Sequence, residues 1–154
     1  MGFSFPIPNM ISKFMKPGPM PTGLAELREG YRRALSAAMR AASKAEAGRN
    51  SYAEYWVGRL RFAVGYFDCI EAVKQAATAE DKAKKARARN LPAIARDRQA
   101  EAAEHAQRAL DTSRAMLESY ARVATDRSDL GAIATMAEYI YRPLKRWAGE
   151  LKTQ

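Results

Sequence analysis

Large apolar side chains recur at every third or fourth position in four successive blocks of this 154-residue chain, with polar residues between them. That spacing places the apolar residues on one face of an α-helix. It predicts helices over about residues 23–47, 51–77, 92–124 and 126–151. No stretch shows the apolar–polar alternation that is typical of a half-buried strand. The predicted fold class is all-α, a four-helix up-down bundle with an extended, proline-rich N-terminal arm.

The arm, residues 1–22, differs in composition from the bundle domain predicted over residues 23–154. It contains five of the seven prolines, and Pro-X-Pro spacing favours extended backbone over a continuous helix. An apolar segment of this size is usually buried, either against its own protein or against a partner. Two hypotheses stay open: the arm packs along the bundle, or it binds a partner protein or, peripherally, a membrane surface. Its candidate contact residues are Phe3, Phe5, Ile7, Ile11 and Phe14.

The predicted second helix is the most aromatic one, and we expect it to form the centre of the core. Trp56, Leu60 and Phe67 lie on its apolar stripe, and burial of each is worth roughly 1.5–3 kcal/mol. Gly58 and Gly65 are seven residues apart on one face, where each costs about 1 kcal/mol relative to alanine. We therefore predict that a neighbouring helix approaches the backbone closely at both glycines.

Two segments interrupt the regular pattern. Residues 78–91 contain five cations and no large apolar residue before Leu91, so they form either a solvated connection or a polar helical overhang. Pro143 lies inside the last apolar block, whose helix begins near Asp126 or Ser128. Because proline removes one backbone hydrogen bond, we expect a kink or a restart near residues 139–142.

Basic residues outnumber acidic ones by 26 to 17, which gives a formal net charge of +9 and favours anionic partners. The basic segment, residues 82–98, holds seven cations and one anion. It predicts either a solvated surface or a polyanion-binding site that neutralises phosphates of DNA or RNA. No aromatic residue between Phe67 and Tyr120 is available to stack on unpaired bases. The seven cations are Lys82, Lys84, Lys85, Arg87, Arg89, Arg96 and Arg98.

A second group of candidate partner-binding residues lies near the C-terminal end of the sequence. Tyrosine, tryptophan and arginine are the side chains enriched in interface hot spots. Aromatic residues at helical spacing are also typical of a core with polar tips at its rim. Both interpretations apply to Tyr139, Tyr141, Arg142, Arg146 and Trp147.

No set of histidine, cysteine or serine residues has the spacing that nucleophilic catalysis or metal binding requires, and paired carboxylates stay open as an alternative to caps and arginine partners. A di-iron site in a helical bundle needs a Glu-x-x-His motif on two helices, and His105 is the only histidine. Cys69, the only cysteine, lies beside an apolar stripe, where a buried and unreactive thiol is expected. We predict no catalytic residue, no metal and no cofactor. A small-molecule pocket between helices could still be lined by Tyr52, Tyr55, Trp56 and Arg59.

The hydropathy pattern shows neither a membrane span nor an export signal. No apolar run approaches the ~20 residues that span a bilayer. Pro6 and Pro8 interrupt the place where the apolar core of an export signal would lie. We expect no transmembrane segment and no signal peptide in this chain. Its compartment stays open between the cytoplasm and, for a fragment of an exported protein, the exterior.

Two stretches resemble helices of a known family. Residues 50–66, NSYAEYWVGRLRFAVGY, and residues 128–144, SDLGAIATMAEYIYRPL, are similar to helices in the C-terminal helical region of large bacterial glycoside-hydrolase-like proteins of the α-glucuronidase-like kind. With the intervening helix, the resemblance covers about residues 24–150, and the arm has no counterpart. It implies an accessory bundle that follows a catalytic barrel. The catalytic carboxylates of that family belong to the barrel, so no catalytic residue is carried over.

Three functions are compatible with these features. The first is a non-catalytic helical interaction or scaffold module, accessory to a larger carbohydrate-active assembly, with a protein partner or a second copy of itself. The second is a basic nucleic-acid-associated protein that uses residues 82–98. The third is a small-molecule-binding helical bundle.

Overall fold

A computed structural model of the chain describes residues 10–44 and 50–153, and within them the fold is all-α, as predicted. None of the described helices is both long enough and apolar enough to cross a membrane. Phe3, Phe5 and Ile7 of the arm, and the predicted end of the first helix, lie outside the described residues. The elements are a 3-10 turn at Ser12–Phe14, α1 (Thr22–Lys44), α2 (Asn50–Ala88), α3 (Pro92–Ala121), α4 (Arg127–Met136), a π-helical segment at Ala137–Tyr141, and α5 (Arg142–Thr153).

Helices α2 and α3 pack together along a seam of small residues spaced seven apart. A Cβ atom added at Gly58 would lie 2.5 Å from Cγ2 of Val123, and one at Gly65 would lie 2.7 Å from Cβ of Met116. The predicted close approach at both glycines is confirmed. Because residue numbers rise along α2 as they fall along α3, the two helices are antiparallel.

The same seven-residue spacing continues to the far end of the helix pair, where both sides of the seam are alanine. A spacing of seven keeps one face of each helix against its partner. Alanine gives little volume but lets two backbones lie close together, so the thin apolar stripe of α3 is matched by an equally thin stripe on α2. The buried seam alanines are Ala72, Ala79 and Ala86 on α2, and Ala95, Ala102 and Ala109 on α3.

The prediction that Trp56 belongs to the core is wrong. Its side chain is 44% exposed and that of Tyr52 is 71% exposed, whereas Phe62 and Phe67 are buried, the latter as predicted. The face of α2 that packs on α3 contains Gly58, Phe62 and Gly65. Tyr52 and Trp56 lie on a different side of the helix, so their side chains point outwards.

Larger apolar side chains fill the core around the middle of α2. Its fully buried members include Ile70, Val73, Ile140 and Leu144. Helix α1 lies antiparallel on the outside of α2, where Arg32 forms an ion pair with Asp68 at 2.8 Å and Arg28 contacts Glu71. No described residue of α1 is fully buried, so this helix covers the core without entering it.

The described part of the arm packs along α2. Met10 and Ile11 are buried within the core, and Phe14 is packed against it. The Tyr66 hydroxyl donates to the Met10 carbonyl at 3.4 Å, and the Gly18 N–H donates to Oγ1 of Thr78 at 3.0 Å. Of the two hypotheses for the arm, packing along the bundle describes these residues, and Ile11 is enclosed by its own chain.

The predicted interruption before Pro143 is present as the π-helical segment Ala137–Tyr141. The Arg142 N–H donates to the Ala137 carbonyl, five residues back, so the last predicted helix is divided into α4 and α5. Its start is the first of the two predicted ones, because the Asp126 carboxylate caps α4 by accepting from the Asp129 N–H at 2.8 Å.

Candidate functional site

The end of the α2–α3 helix pair carries the predicted basic segment, and we call residues 79–98 the hairpin end. The expectation that the second helix ends at Ala77 is wrong, because α2 continues to Ala88. Of the two alternatives for residues 78–91, the helical overhang is the one observed. It has an apolar face after all, since Ala79, Ala83 and Ala86 are buried.

A three-residue connection joins the two helices at the hairpin end. Asn90 adopts a φ of 57°, a left-handed conformation that asparagine tolerates better than most residues. The Asn90 N–H donates to the Arg87 carbonyl and the Leu91 N–H to the Ala86 carbonyl, each at 3.0 Å. These two bonds form a Schellman motif, which satisfies the last carbonyls of α2. Pro92 then starts α3, where its missing N–H costs nothing. The turn therefore has a defined geometry.

The basic side chains of the hairpin end are exposed, and they fall into two sets. Within the described part of the chain, no ion pair is found for Lys82, Arg89 or Arg96. The hydrogen bond from Arg98 is the main cause that holds the pKa of Glu101 below its ordinary value, and Lys82 contributes through its charge. The pairs within one helix are Lys84 with Glu80, Lys85 with Asp81, and Arg98 with Glu101, at 2.6, 2.7 and 2.6 Å.

A shallow groove of about 480 Å³ lies between the hairpin end and the end of α5. Its charged lining consists of Arg87, Arg96 and Lys152, and none of the described lining residues is a carboxylate. Gln99 is buried at its base, where its Oε1 accepts from Arg87 at 3.0 Å and its Nε2 donates to the Leu151 carbonyl at 2.8 Å. One amide thus connects three helices and holds an arginine at the groove.

Two large apolar side chains at the tip of the hairpin end are exposed, and the sequence reasoning did not assign them a role. Leu91 is 42% exposed and Ile94 is 48% exposed. The signal that could have identified them is the seven-residue repeat of small residues. Since that repeat assigns Ala86 and Ala95 to the seam, Leu91 and Ile94 must lie off it.

The C-terminal candidate group does not form one exposed patch. Tyr139 and Trp147 pack against the core, and Tyr141 is half-buried. Arg142 is exposed and pairs with Glu138 at 2.5 Å, and Arg146 is exposed. The rings thus contribute to the fold, and a role of these residues in partner binding stays a prediction.

The opposite end of the α2–α3 pair carries a polar cluster centred on Asp129. Asp129 accepts from the Thr125 N–H at 3.0 Å and from the Tyr120 hydroxyl at 2.7 Å, and it pairs with Arg59 at 3.3 Å. The Thr125 hydrogen bond is the main cause that lowers the pKa of Asp129, followed by the Tyr120 bond. Burial, followed by the bond to Asp129, raises the pKa of Tyr120 to about 12.

The aromatic residues predicted to line a pocket at that end stack on one another instead. The Tyr55 and Trp56 rings meet edge to face at 5.9 Å, and the Arg59 guanidinium lies 5.4 Å from the Tyr55 ring. The groove found nearby, about 390 Å³ between α1, α2 and α3, is lined by Met39, Glu54, Val57, Gly58 and Arg61 among others, and by none of the four predicted residues.

The two residues considered for chemistry are both held within the fold. Cys69 is buried as predicted, its thiol donates to the Ala109 carbonyl at 3.5 Å, and burial raises its pKa to about 12. A thiol in this environment is a poor nucleophile. His105 is half-buried, with Nε2 3.8 Å from Glu101. Within the described residues, no group of three His, Cys, Asp or Glu side chains is placed to hold a metal ion.

Comparison with known proteins adds no relative whose site could be superimposed on this one. No family model, curated protein or solved structure matches the chain.

Proposed function

We propose that the chain is a non-catalytic helical interaction module that binds anionic surfaces through its hairpin end. The observation that carries the proposal is the charge of residues 82–98, seven cations to one anion, displayed on two packed helices. Lys82, Arg89 and Arg96 are exposed and have no ion pair within the described residues. Cations of this kind are available to neutralise an anionic partner.

The way the hairpin end is built supports this function. The alanine seam holds α2 against α3, the connection at Asn90 fixes the turn, and Gln99 ties the pair to α5. The spacing between cations on the two helices is therefore set before a partner arrives. Preorganisation of this kind reduces the entropy lost on binding.

The proposal includes the finer features of the fold that the sequence predicted. We take the long helical segments as a four-helix up-down bundle, because α1 with α2 and α2 with α3 run antiparallel. We take the proline-rich residues 1–22 as an extended N-terminal arm. An accessory role beside a carbohydrate-active enzyme, and contact with a protein partner or a second copy, stay predictions.

Nucleic acid is the second candidate partner for the same surface, because phosphates along a helix would meet the same unpaired cations. A small-molecule function would instead use the 390 Å³ groove beside α1, whose charged side chains are of both signs: Arg61 and Arg122 are cations and Glu54 is an anion. The charges of the hairpin end are more strongly of one sign than those of this groove. We therefore prefer the hairpin end as the functional surface.

Retention on heparin tests the proposed function. The variant Lys82→Gln/Arg89→Gln/Arg96→Gln should elute at clearly lower salt than the wild type. For duplex DNA, the slope of log K against log salt should fall by about 2–3, roughly 0.9 for each phosphate that is no longer neutralised. Circular dichroism should be unchanged, because these side chains are exposed.

The matched control removes three exposed cations elsewhere, Arg40→Gln/Arg127→Gln/Lys145→Gln. Both variants change the net charge equally, so only a local surface separates them. Equal shifts of the two variants would show that retention follows net charge, and the proposal would be wrong.

A further inference from the structure

We propose that the anionic surface bound by the hairpin end is a lipid bilayer, with Leu91 and Ile94 inserted among the headgroups. This inference rests on the proposed function and names its partner. It differs from membrane contact by the arm, since the described arm residues Met10 and Ile11 are buried in the core.

Leu91 and Ile94 occupy the apex of the molecule's longest helix pair. Leu91 is the last residue of the connection and precedes the first turn of α3, and Ile94 lies three positions later on the same side of that helix. Both side chains are close to half exposed, although the adjacent seam residues Ala86 and Ala95 are buried. Pro92 between them is exposed as well. The tip therefore presents an apolar surface that the fold leaves uncovered.

Cations precede and follow this apolar tip along the chain, and one anion, Asp97, lies between Arg96 and Arg98. Arg89 precedes Leu91 in the connection, and Arg96 and Arg98 follow Ile94 in the first turns of α3. With a rise of 1.5 Å per residue, Arg98 lies about 6 Å behind Ile94 along the axis. Apolar side chains of interfacial helices enter the headgroup boundary by about 5–10 Å, so the cations would lie at the level of the lipid phosphates.

The apolar tip favours a bilayer over a nucleic acid. Phosphates and sugars offer nothing that would bury Leu91 or Ile94, while basic side chains beside apolar ones suit the boundary between anionic headgroups and acyl chains. Stacking on unpaired bases is also unsupported, because residues 68–119 include no aromatic side chain. Charge and apolar exposure together therefore specify the partner more narrowly than charge alone.

Vesicle flotation with the full chain tests the inference. We expect binding to vesicles of equal parts phosphatidylcholine and phosphatidylserine, weakened by salt, and little binding to phosphatidylcholine alone. The variant Leu91→Ser/Ile94→Ser should reduce partitioning into the mixed vesicles by about tenfold or more, because it removes most of the inserted apolar area. Serine suits the N-cap position that Leu91 occupies, so the variant should fold.

The control Leu27→Ser/Leu130→Ser removes two exposed leucines away from the hairpin end and should leave partitioning unchanged. Equal partitioning of wild type and Leu91→Ser/Ile94→Ser would overturn the inference, as would absence of vesicle binding. If duplex DNA binds with the dependence on Lys82, Arg89 and Arg96 described above while vesicles do not, the inference fails and the proposed function survives. Loss of both activities would reject both.

Discussion

The two ends of the α2–α3 pair use the same seven-residue seam in different ways. Near Gly58 and Gly65, a glycine on α2 receives a larger side chain from α3, Val123 or Met116, and bulky core residues surround the contact. At the hairpin end, alanine faces alanine and few larger side chains lie nearby. The packing near Gly58 and Gly65 depends on the volume of the buried side chains. The packing of the hairpin end depends on how closely the two helix backbones approach each other. A helix pair can therefore extend beyond its core, provided that nothing at the seam is large.

Enlarging a seam alanine should have the largest effect on this contrast. Ala102 is fully buried in the cluster formed with Ala76 and Ala79. The substitution Ala102→Leu should lower the free energy of unfolding by about 1–3 kcal/mol, because the added atoms force the helices apart. Urea denaturation followed by circular dichroism measures the change.

The control for that variant is Ala115→Leu, an exposed position of the same helix. Its free energy of unfolding should stay within about 0.5 kcal/mol of the wild type. Equal effects at positions 102 and 115 would contradict a tight alanine seam.

A smaller effect is expected when either of two glycines is replaced by alanine. The sign of the change in stability should depend on the space around each glycine. The substitution Gly65→Ala places its Cβ 2.7 Å from Cβ of Met116, so the helix backbones must shift. We expect a net loss of about 1 kcal/mol, the overpacking cost less the gain in helix propensity. The substitution Gly30→Ala meets nothing within 4 Å on α1 and should instead gain about 0.5–1 kcal/mol. Thermal midpoints that move in the same direction for both variants would rule out this account.

The smallest effect should be a pH dependence of stability that arises from the polar cluster around Asp129. The pKa of Asp129 is lowered in the folded state, so its contribution to stability is present above the unfolded value of about 4 and is lost as pH falls through the lower folded value. The variant Asp129→Asn should lose less stability between about pH 5 and about pH 2 than the wild type does. The exposed substitution Asp97→Asn should behave like the wild type. Urea midpoints across this range would show the difference, and parallel curves for all three proteins would count against the cluster.

The sequence predicted the helical segments from local signals, but it placed the end of the second helix about eleven residues too early. The apolar spacing, the helix start near Asp126 or Ser128 and the effect of Pro143 each depend on neighbours within one or two turns. Gly58 and Gly65 also revealed a close helix contact. The burial of Trp56 was predicted wrongly, since apolar residues on two sides of α2 fit more than one stripe.

The candidate site was predicted only in part, for a related reason. Charge density identified the cations of residues 82–98 from composition alone. It could not show that α2 continues through them, because alanines that pack on a partner resemble alanines that face solvent. The bond from Gln99 to Leu151 joins residues 52 positions apart, and no local pattern indicates it.

The π-helical segment determines which face of α5 is directed towards the core. The buried residues Met136, Ile140, Leu144 and Ala148 step by four residues three times in succession. In a straight α-helix each such step advances the side chain by about 40° beyond a full turn, so the stripe would drift by about 120°. One widened turn at Ala137–Tyr141 absorbs much of that drift and keeps Leu151 directed towards α3. Deleting one residue between Met136 and Ile140 would change the first step to three, and a regular α-helix keeps steps of three, four and four on one face. The widened turn would then be lost, while Leu151 would still face Gln99 and the groove would keep its third wall.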